Sequence, residues 1–323
     1  MATMRDVAAR AGVSVKTVSR VFNNDPHVLP EKRGLVEQAM RELNYVPNAL
    51  ATTFRSGRTA ALGVAVPDVV DPFFAAIARA IDDVASTYGM STLVTSLGED
   101  PATEQGIVER LLGRQLTGLI LAPVSTDHGW LRRWQEHTPI VFVDRAPQNL
   151  VTDSFTDDDR GGGFAATSYL IAKGHRRIAY LGRDPLLVTE SDRREGYRRA
   201  LAEHGIPYDP KLVMEHITER HAAAAAVAKL TALANPPTAI FSANARTSMP
   251  LTAALRGSPL AVIGFGDFPM ADLLTPALTI MDQNPSRMGQ LAAQRIYDRL
   301  ESPTASFPLH TVLDVTLVER ESA

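Results

Sequence analysis

Residues 4–22 read MRDVAARAGVSVKTVSRVF, and this stretch decides the fold of the N-terminal region. Apolar residues in its first half recur at the spacing of one helical face: Met4, Val7, Ala8 and Ala11. Gly12 breaks this first helix, and Ser14 can cap the next one because its hydroxyl accepts an orphan backbone N–H. The pattern predicts two short helices joined by a turn of about three residues, a helix-turn-helix.

The second helix, from Val15 to Phe22, has two chemically different faces. Its inward apolar residues are Val18, Val21 and Phe22, and its other sides carry Lys16, Thr17, Ser19 and Arg20. Small polar and cationic side chains on a short helix can reach base edges in the major groove, which is about 12 Å wide. The alternative interpretation is an ordinary amphipathic helical pair.

Two further helical segments follow. Pro30 fits a first-turn position, and an inward apolar stripe follows it: Leu35, Val36, Ala39, Met40 and Leu43. Residues 48–59 form a short helical stretch that cannot be stable alone in water, so we expect it to fold only when docked on something.

Charge is unevenly distributed along the 323 residues. Residues 1–59 contain nine Lys and Arg and five Asp and Glu, which gives a net charge of +4. Residues 60–323 contain 24 Lys and Arg and 31 Asp and Glu, which gives a net charge of −7. A basic segment on an acidic body suggests a module that binds a polyanion, with chance fluctuation in a short window as the alternative.

Composition excludes several classes of protein. The chain has no cysteine, which excludes disulfides, thiolate metal sites and cysteine nucleophiles. Its 45% hydrophobic and 21% charged residues are ordinary for a globular protein of about two domains. No export signal is visible and no apolar run approaches the ~20 residues of a membrane helix, so we expect a cytoplasmic protein without a membrane partner.

From about Ala60 the pattern alternates strands and helices at βαβ spacing, which predicts parallel sheets covered by helices. The predicted strands are 61–66, 91–95, 118–122, 140–143, 178–181, 239–242 and 260–264, and the predicted helices are 73–88, 103–112, 162–173, 192–204, 221–234 and 288–300. A division near Ser154–Gly162 suggests two α/β lobes, and the cleft between such lobes is the default small-molecule site.

The N-terminal stretch closely resembles the DNA-binding head and hinge of the lactose-repressor (LacI/GalR) family. The matching blocks are Asp6–Ala8, Ala11–Ser14, Thr17–Val21, Asn44–Tyr45, Pro47–Ala49, Ala51 and Gly57–Thr59. The resemblance extends over essentially the whole chain. It implies a dimer that binds double-stranded operator DNA.

The resemblance also implies roles for individual residues of the head. Bases are read by Val15, Lys16 and Arg20 with Thr17 nearby, and the phosphate backbone is contacted by Ser14 and Asn23. Further positions expected to contact DNA are Thr3, Tyr45, Asn48, Ala51 and Arg55. Phe54 stands where the family usually has a leucine that wedges between central base pairs; we expect Phe54 to act as a bulkier wedge, the alternative being a packing residue of the hinge.

Residues 60–323 resemble the family's effector domain, a two-lobed fold like that of periplasmic binding proteins. Matching residues include Pro67, Asp71–Phe74, Val143–Arg145, Gly174–His175, Arg193, Gly196–Tyr197, Gly264–Phe265, Pro276–Thr279 and Val318–Ser322. The resemblance implies effector-binding positions at Asp71, Phe73, Phe74, Arg145, Arg193, Asn244 and Gly266. An aromatic side chain can stack on a sugar or base, and an arginine can fork onto hydroxyls or a carboxylate.

Two departures from the family occur at cleft positions. Asn244 is followed by Ala245 where the family usually has Asp, and Gly266 stands where it usually has the first of two Asp residues. Residues 246–259 also form a linker that is shorter than usual. The loss of two anionic acceptors favours an anionic or less hydroxylated ligand over a polyol, or no small molecule at all.

Motifs of enzymes are missing from the sequence. It contains neither a Gly-x-x-x-x-Gly-Lys-Ser/Thr phosphate loop nor a His-Glu-x-x-His metal motif. We interpret Gly161–Gly163 as a flexible junction between lobes, and His216 and His221, five residues apart, as polar residues at a strand end. We therefore expect no catalytic residue, no metal and no cofactor.

These observations predict an all-α helix-turn-helix domain (1–47), a hinge helix (48–59) and an α/β two-lobed effector domain (60–323). We expect the N-lobe at about 60–157 and 286–312, and the C-lobe at about 158–285 and 313–323. The expected function is a dimeric transcription regulator, a repressor, controlled by a sugar, sugar phosphate, nucleoside or organic acid. The alternatives are a repressor controlled by a protein partner or by no effector, an exported sugar-binding protein, and a chromatin protein that binds phosphates alone.

Overall fold

The computed structural model describes residues 4–22, 25, 27–43, 59–303 and 305–323. The chain divides into two compact units, Met1–Thr59, the head, and Ala60–Ala323, the body. None of the described helices combines the length and the apolar character that crossing a membrane requires.

The head contains three described helices, α1 (Met4–Ala11), α2 (Val15–Phe22) and α3 (Pro30–Glu42). Gly12 turns the chain between the first two with φ +63°, a conformation that glycine adopts without a steric penalty. The Ser14 Oγ accepts the Thr17 N–H at 3.1 Å and caps α2. One core holds the helices together and consists of Val7, Ala8, Val18, Val21, Val36 and Ala39. The predicted helix-turn-helix with a third helix is confirmed.

The body is built on two six-stranded sheets with helices on their faces. The elements around the first sheet are β1 (Thr59–Val66), α4 (Pro72–Thr87), β2 (Ser91–Ser96), α5 (Pro101–Leu112), β3 (Leu116–Leu121), α6 (Arg132–Gln135), β4 (Ile140–Val143), β5 (Asp153–Asp157), α11 (Pro285–Glu301) and β11 (His310–Leu313). Its strand order is β11-β5-β4-β3-β1-β2. We call this half of the body the N-lobe.

The other half, the C-lobe, has the same layered design. Its elements are α7 (Asp159–Ala172), β6 (Ile178–Leu181), α8 (Val188–Glu203), β7 (Val213–Met214), α9 (Arg220–Thr231), β8 (Ala239–Ser242), α10 (Ala245–Ala254), β9 (Ala261–Phe265), β10 (Thr279–Asp282) and β12 (Thr316–Val318). The strand order is β12-β10-β9-β8-β6-β7. Among the strand pairs whose register is described, only β10 with β12 is antiparallel. The predicted two-lobed α/β fold with parallel sheets is confirmed.

Alternation along the strands places apolar side chains on both faces of each sheet. In β1, Leu62, Val64 and Val66 join a core with α4 and α11, whereas Ala61 and Ala65 join a second core on the opposite face. Strands buried on both faces carry continuous apolar runs, and this explains why the sequence revealed them.

Several elements differ from the sequence-based prediction. The sequence analysis did not predict the short helix α6 or five of the strands: β5, β7, β10, β11 and β12. Asp153–Asp157 is polar, and β7 and β12 are only two and three residues long. The interpretation of residues 246–259 as a linker is wrong: most of them form α10, whose apolar periodicity is weak and which contains Pro250. A proline inside a helix removes a hydrogen bond and usually indicates a helix end.

The chain passes three times from one sheet to the other: between β5 and α7, between β10 and α11, and between β11 and β12. The long helix α11 thereby returns to the N-lobe, where it packs against α4 and the sheet. Three separate connections therefore join the lobes.

Gly161–Gly163 do not form a flexible junction, and that interpretation is wrong. All three lie in the first turns of α7, where the helix crosses α8. A Cβ on Gly163 would come within 2.3 Å of the Arg193 carbonyl oxygen, and a Cβ on Gly196 within 2.2 Å of the Arg160 carbonyl oxygen. These glycines let two helix backbones approach closely.

Candidate functional site

The exposed face of α2 carries the predicted base-reading residues that the structure describes. Val15, Lys16 and Arg20 are exposed, and Thr17 is half-buried beside them. Val18 and Val21 face the head core instead. The Arg20 Nε lies 3.4 Å from Asp25 Oδ2, an exposed ion pair that DNA phosphate or a base can replace at little cost.

Several predicted DNA-contacting residues lie outside the described part of the chain, and their roles stay predictions. They are Thr3, Asn23, Tyr45, Asn48, Ala51, Phe54 and Arg55. Ser14 is described, and its hydroxyl contacts both the backbone N–H and the Oγ of Thr17, the latter at 2.9 Å. It is therefore held at the N-terminus of α2, where anions are favoured.

The body contains a cavity of about 280 Å³ between its lobes. All seven residues predicted to bind the effector line it: Asp71, Phe73, Phe74, Arg145, Arg193, Asn244 and Gly266. They span almost two hundred positions of sequence. The structure brings them together, and whether they contact an effector stays a prediction.

Parallel topology explains this convergence. Asp71, Arg145, Asn244 and Gly266 each follow the carboxyl end of a strand, and those ends of both sheets open on the cavity. Asp71 and Asn244 also cap the helices that start there: Asp71 Oδ1 accepts the Phe73 N–H at 3.0 Å, and Asn244 Oδ1 accepts the Thr247 N–H at 2.8 Å. Their side chains are thus held at the cavity wall.

The two phenylalanines differ in how much of their ring surface is exposed to the cavity. Phe74 is only 6% exposed and belongs to the N-lobe core, whereas Phe73 is half-buried at the cavity. Their rings meet edge to face with centroids 5.2 Å apart. Phe73 is therefore the aromatic surface on which a ligand can stack.

Arg193 is 4% exposed and is held by contacts within the C-lobe. Its Nε donates to Asp159 Oδ1 at 2.7 Å, its Nη1 donates to the Ala243 carbonyl at 2.8 Å, and the guanidinium lies 4.0 Å from the centre of the Phe265 ring. The arginine therefore organises the cavity wall as well as lining the cavity.

The cavity has acceptors that the sequence-based prediction missed. Asp144 and Glu190 are buried and line it. The Asp144 Oδ2 forms an ion pair with the Arg145 Nε at 3.1 Å but accepts no hydrogen bond in the described part of the chain. Glu190 accepts the backbone N–H groups of Arg183 and Asp184 at 2.8 and 3.1 Å, and burial raises its pKa. The absence of carboxylates at Ala245 and Gly266 therefore does not leave the cleft without oxygens that can accept ligand hydroxyls.

Gly266 has a structural reason for its identity. Its φ is +80°, and a Cβ there would lie 2.9 Å from the Gln283 Oε1. Gln283 follows β10, lines the cavity and donates from Nε2 to Asp157 Oδ2 at 2.7 Å. Gln283 thus fills the space beside Gly266, and the sequence analysis missed it because β10, the strand that precedes it, was not predicted.

Asp157 and Asp159 flank the first crossing between the lobes. Burial raises the pKa of Asp157 to about 8, and the neighbouring charge of Asp159 adds to this shift. Burial likewise raises the pKa of Asp159 to about 7, against the opposing effect of Arg193. The Asp157 Oδ1 has no hydrogen-bond partner among the described residues.

We expect the free energy of unfolding to fall as the pH rises from about 4 to 8. In that interval folded Asp157 keeps a proton that the unfolded chain has lost, and one such proton gives a slope of up to about 1.4 kcal/mol per pH unit. Asp157→Asn keeps an acceptor for Gln283 and abolishes the titration. Denaturant unfolding should show the variant to be more stable than the parent at pH 8, with the difference vanishing towards pH 4.

The exposed carboxyl of Asp83 on α4 provides the control, because Asp83→Asn should change stability equally little at both pH values. A difference between Asp157→Asn and the parent that does not change with pH would contradict the expected proton.

No three His, Asp or Glu side chains of the described residues are grouped so that they could hold a metal ion. His216 lines the cavity after β7, and His221 is exposed on α9.

A basic three-helix head joined to a two-lobed α/β body with a cleft defines a class of ligand-responsive DNA-binding regulators. Residues 3–48 match the family described as bacterial regulatory proteins, lacI family, and residues 167–323 match the periplasmic binding protein-like domain. The chain belongs to the lacI family of transcriptional regulators.

Curated relatives cover most or all of the chain. The ribose operon repressor of Escherichia coli (strain K12) is 32% identical, with 100% of both chains covered. The transcriptional repressor PurR of Mannheimia succiniciproducens is 29% identical over 93% of this chain and 92% of that protein. Both are repressors rather than enzymes.

Solved structures agree with this fold. The lac repressor dimer bound to operator and the anti-inducer ONPF is 27% identical, has a TM-score of 0.85 and is matched over 99% of this chain and 98% of that chain. The complex of the transcriptional regulator CelR with cellobiose is 30% identical, with a TM-score of 0.71 and 100% of both chains covered.

Proposed function

We propose that this chain is a dimeric cytoplasmic repressor that binds a pseudo-palindromic operator and responds to a small molecule in the cleft. In this proposal residues 1–47 bind DNA, 48–59 form the hinge helix, and 60–323 bind the effector and dimerise. The observation that carries the proposal is the convergence of seven separated residues on one cavity, in a chain that also presents Lys16 and Arg20 on an exposed helix. The lac repressor structure, a dimer bound to operator and to the anti-inducer ONPF, supports it by analogy.

Control of DNA affinity follows from linkage between two sites. The cavity is lined from both lobes, so a ligand that contacts both favours one lobe arrangement over another. In this proposal only one of the two lobe arrangements lets the two heads of a dimer bind adjacent half-sites. The effector then changes operator affinity by the ratio of its own affinities for the two lobe arrangements. An effector that lowers operator affinity through this coupling is an inducer, and one that raises operator affinity is a corepressor.

Selection from a random duplex library with the full chain tests the DNA half of the proposal. We expect one enriched site with twofold symmetry, bound by two chains as measured by sedimentation. Lys16→Ala and Arg20→Ala should each weaken binding to that site by about tenfold or more, and should reduce binding to random DNA much less.

Lys32, an exposed basic residue at the start of α3, is the matched control for charge. Lys32→Ala should lower affinity for selected and random DNA by similar factors. Failure to enrich any sequence, or equal losses on both DNAs for Lys16→Ala, would favour binding through phosphates alone and reject a specific operator.

A further inference from the structure

Two arginines of the C-lobe stand at the entrance of the cleft. Arg183 follows β6 and Arg246 lies in the first turn of α10, and both line the cavity. Their side chains are 17% and 32% exposed, more than Arg193 but far less than a free surface arginine. The two guanidinium groups thus occupy one partly desolvated site.

Carboxylates of the N-lobe neutralise this pair. The Arg183 Nη2 donates to Glu99 Oε1, the same oxygen lies 4.0 Å from the Arg246 Nη1, and Arg246 Nη1 lies 3.2 Å from Asp68 Oδ2. Glu99 follows β2 and Asp68 follows β1, so both ion pairs join one lobe to the other. One carboxylate oxygen between two guanidinium groups is the arrangement that a bound anion would have.

Glu99 is an exchangeable counter-ion. Its side chain is 67% exposed, so water already solvates much of the carboxylate and can replace the arginines as its partner. The preceding Gly98 has φ +79° and open space around its α-carbon. Arg183, in contrast, stays beside Arg246: burial lowers the Arg183 pKa, and the positive charge of Arg246 adds to this shift. An anion that takes the place of Glu99 would reduce the repulsion between the two guanidinium groups.

The rest of the cavity has the opposite character. Asp144 and Glu190 are almost fully buried carboxyls, and Asn244 and Gln283 add amide groups. Carboxyl and amide groups both hydrogen-bond hydroxyls, and ionised carboxylates in addition repel a second anionic group. The cleft therefore has one end suited to an anion and one suited to hydroxyl groups.

We propose that the effector of this cleft carries one anionic group, a phosphate monoester or a carboxylate, which binds between Arg183 and Arg246 in place of Glu99, on a hydroxylated body. The inference rests on the proposed function in one respect, that the effector binds in this cleft. It assigns Arg183 and Arg246 as specificity-determining residues and Glu99 as the group that an effector displaces.

Inorganic phosphate is the first probe, because it needs no knowledge of the effector. Thermal melts of the full chain in increasing phosphate, with ionic strength held constant by sodium chloride, should show saturable stabilisation. Glu99→Gln should lower the half-saturating phosphate concentration by about fivefold, because it removes the internal competitor. Arg183→Gln and Arg246→Gln should each raise it by about tenfold or more.

Arg256→Gln is the matched control, since Arg256 is an exposed arginine of the same lobe that does not line the cavity. It should leave the phosphate titration unchanged. The inference would be overturned if Glu99→Gln and the parent had the same half-saturating phosphate concentration. It would also be overturned if Arg183→Gln or Arg246→Gln had the same half-saturating phosphate concentration as Arg256→Gln.

A second arm compares glucose with glucose 6-phosphate and gluconate, which share a hydroxylated body and differ in the anionic group. Binding by glucose 6-phosphate or gluconate that exceeds that of glucose about tenfold, and depends on Arg183, supports the inference and shows which anion is preferred. Tighter binding by glucose, with altered operator affinity, would overturn the inference and leave the proposed function intact. Arginine-dependent phosphate binding with no compound affecting operator affinity would instead count against effector control.

Discussion

The Gly163→Ala variant is expected to lose about 3 kcal/mol of unfolding free energy, because its methyl group would enter the backbone of the neighbouring helix. The added Cβ would lie 2.3 Å from the Arg193 carbonyl oxygen and 2.9 Å from the Arg193 Cα. A backbone cannot move aside as a side-chain tip can, so α7 and α8 must separate. Denaturant unfolding monitored by far-ultraviolet circular dichroism measures the loss.

The same displacement has a functional consequence. Arg193, the residue that Gly163 contacts, lines the cavity and is bonded to Asp159 and Ala243. We therefore expect Gly163→Ala to lower the affinity for any ligand of the cleft in addition to lowering the stability of the fold.

Gly106→Ala is the matched control within a helix. Gly106 lies in the middle of α5, and a Cβ there would meet only the end of the Arg110 side chain, at 3.6 Å. Alanine is favoured over glycine in a helix, so this variant should gain about 0.5–1 kcal/mol. A Gly163→Ala protein as stable as its parent would show that the helix crossing is looser than the structure has it.

The Arg193→Ala variant is expected to lose about 3 kcal/mol of unfolding free energy at pH 8. It removes the partner of buried Asp159, the donor to the Ala243 carbonyl and the cation packed on the Phe265 ring. The pKa of Asp159, already raised to about 7, would rise further without the arginine. Folded Asp159 then keeps a proton that the unfolded chain lacks above about pH 4, so stability falls more steeply with pH than in the parent.

Unfolding at pH 5 and pH 8 tests this expectation, because the loss should be clearly smaller at pH 5. Arg198→Ala is the control from the same helix; Arg198 is exposed and packs its guanidinium on Tyr208, so its loss should be small and equal at the two pH values. A loss for Arg193→Ala that is equal at pH 5 and pH 8 would show that the arginine does not control the pKa of Asp159.

These expectations change how effector experiments are interpreted. A ligand response that disappears in Arg193→Ala does not by itself identify a ligand contact, because the cavity wall is disturbed too. Arg183→Gln and Arg246→Gln are more specific, because both side chains are partly exposed at the entrance and their ion pairs can be replaced by water.

Local patterns in the sequence determined the helices of the head and the buried strands of the body. The apolar spacing of α1 and α2, the break at Gly12 and the cap at Ser14 depend on residues within one or two turns, so they could be recognised without a fold. The buried parallel strands were found from their apolar runs, whereas Asp71, Arg145, Asn244 and Gly266 were identified as cleft positions from the family resemblance. Parallel topology explains why these four residues line one cavity.

Only the tertiary structure decided what each of those residues contacts. Gly163 was taken for part of a flexible junction because its neighbour, the backbone of Arg193, lies on another helix. The pairing of Arg183 with Glu99 joins residues 84 positions apart. Gln283, which fills the space beside Gly266, follows a strand that the sequence did not reveal. Sequence spacing determines helices, caps and buried strands because their causes are local, whereas close packing and charge pairing depend on distances that exist only once both lobes have folded.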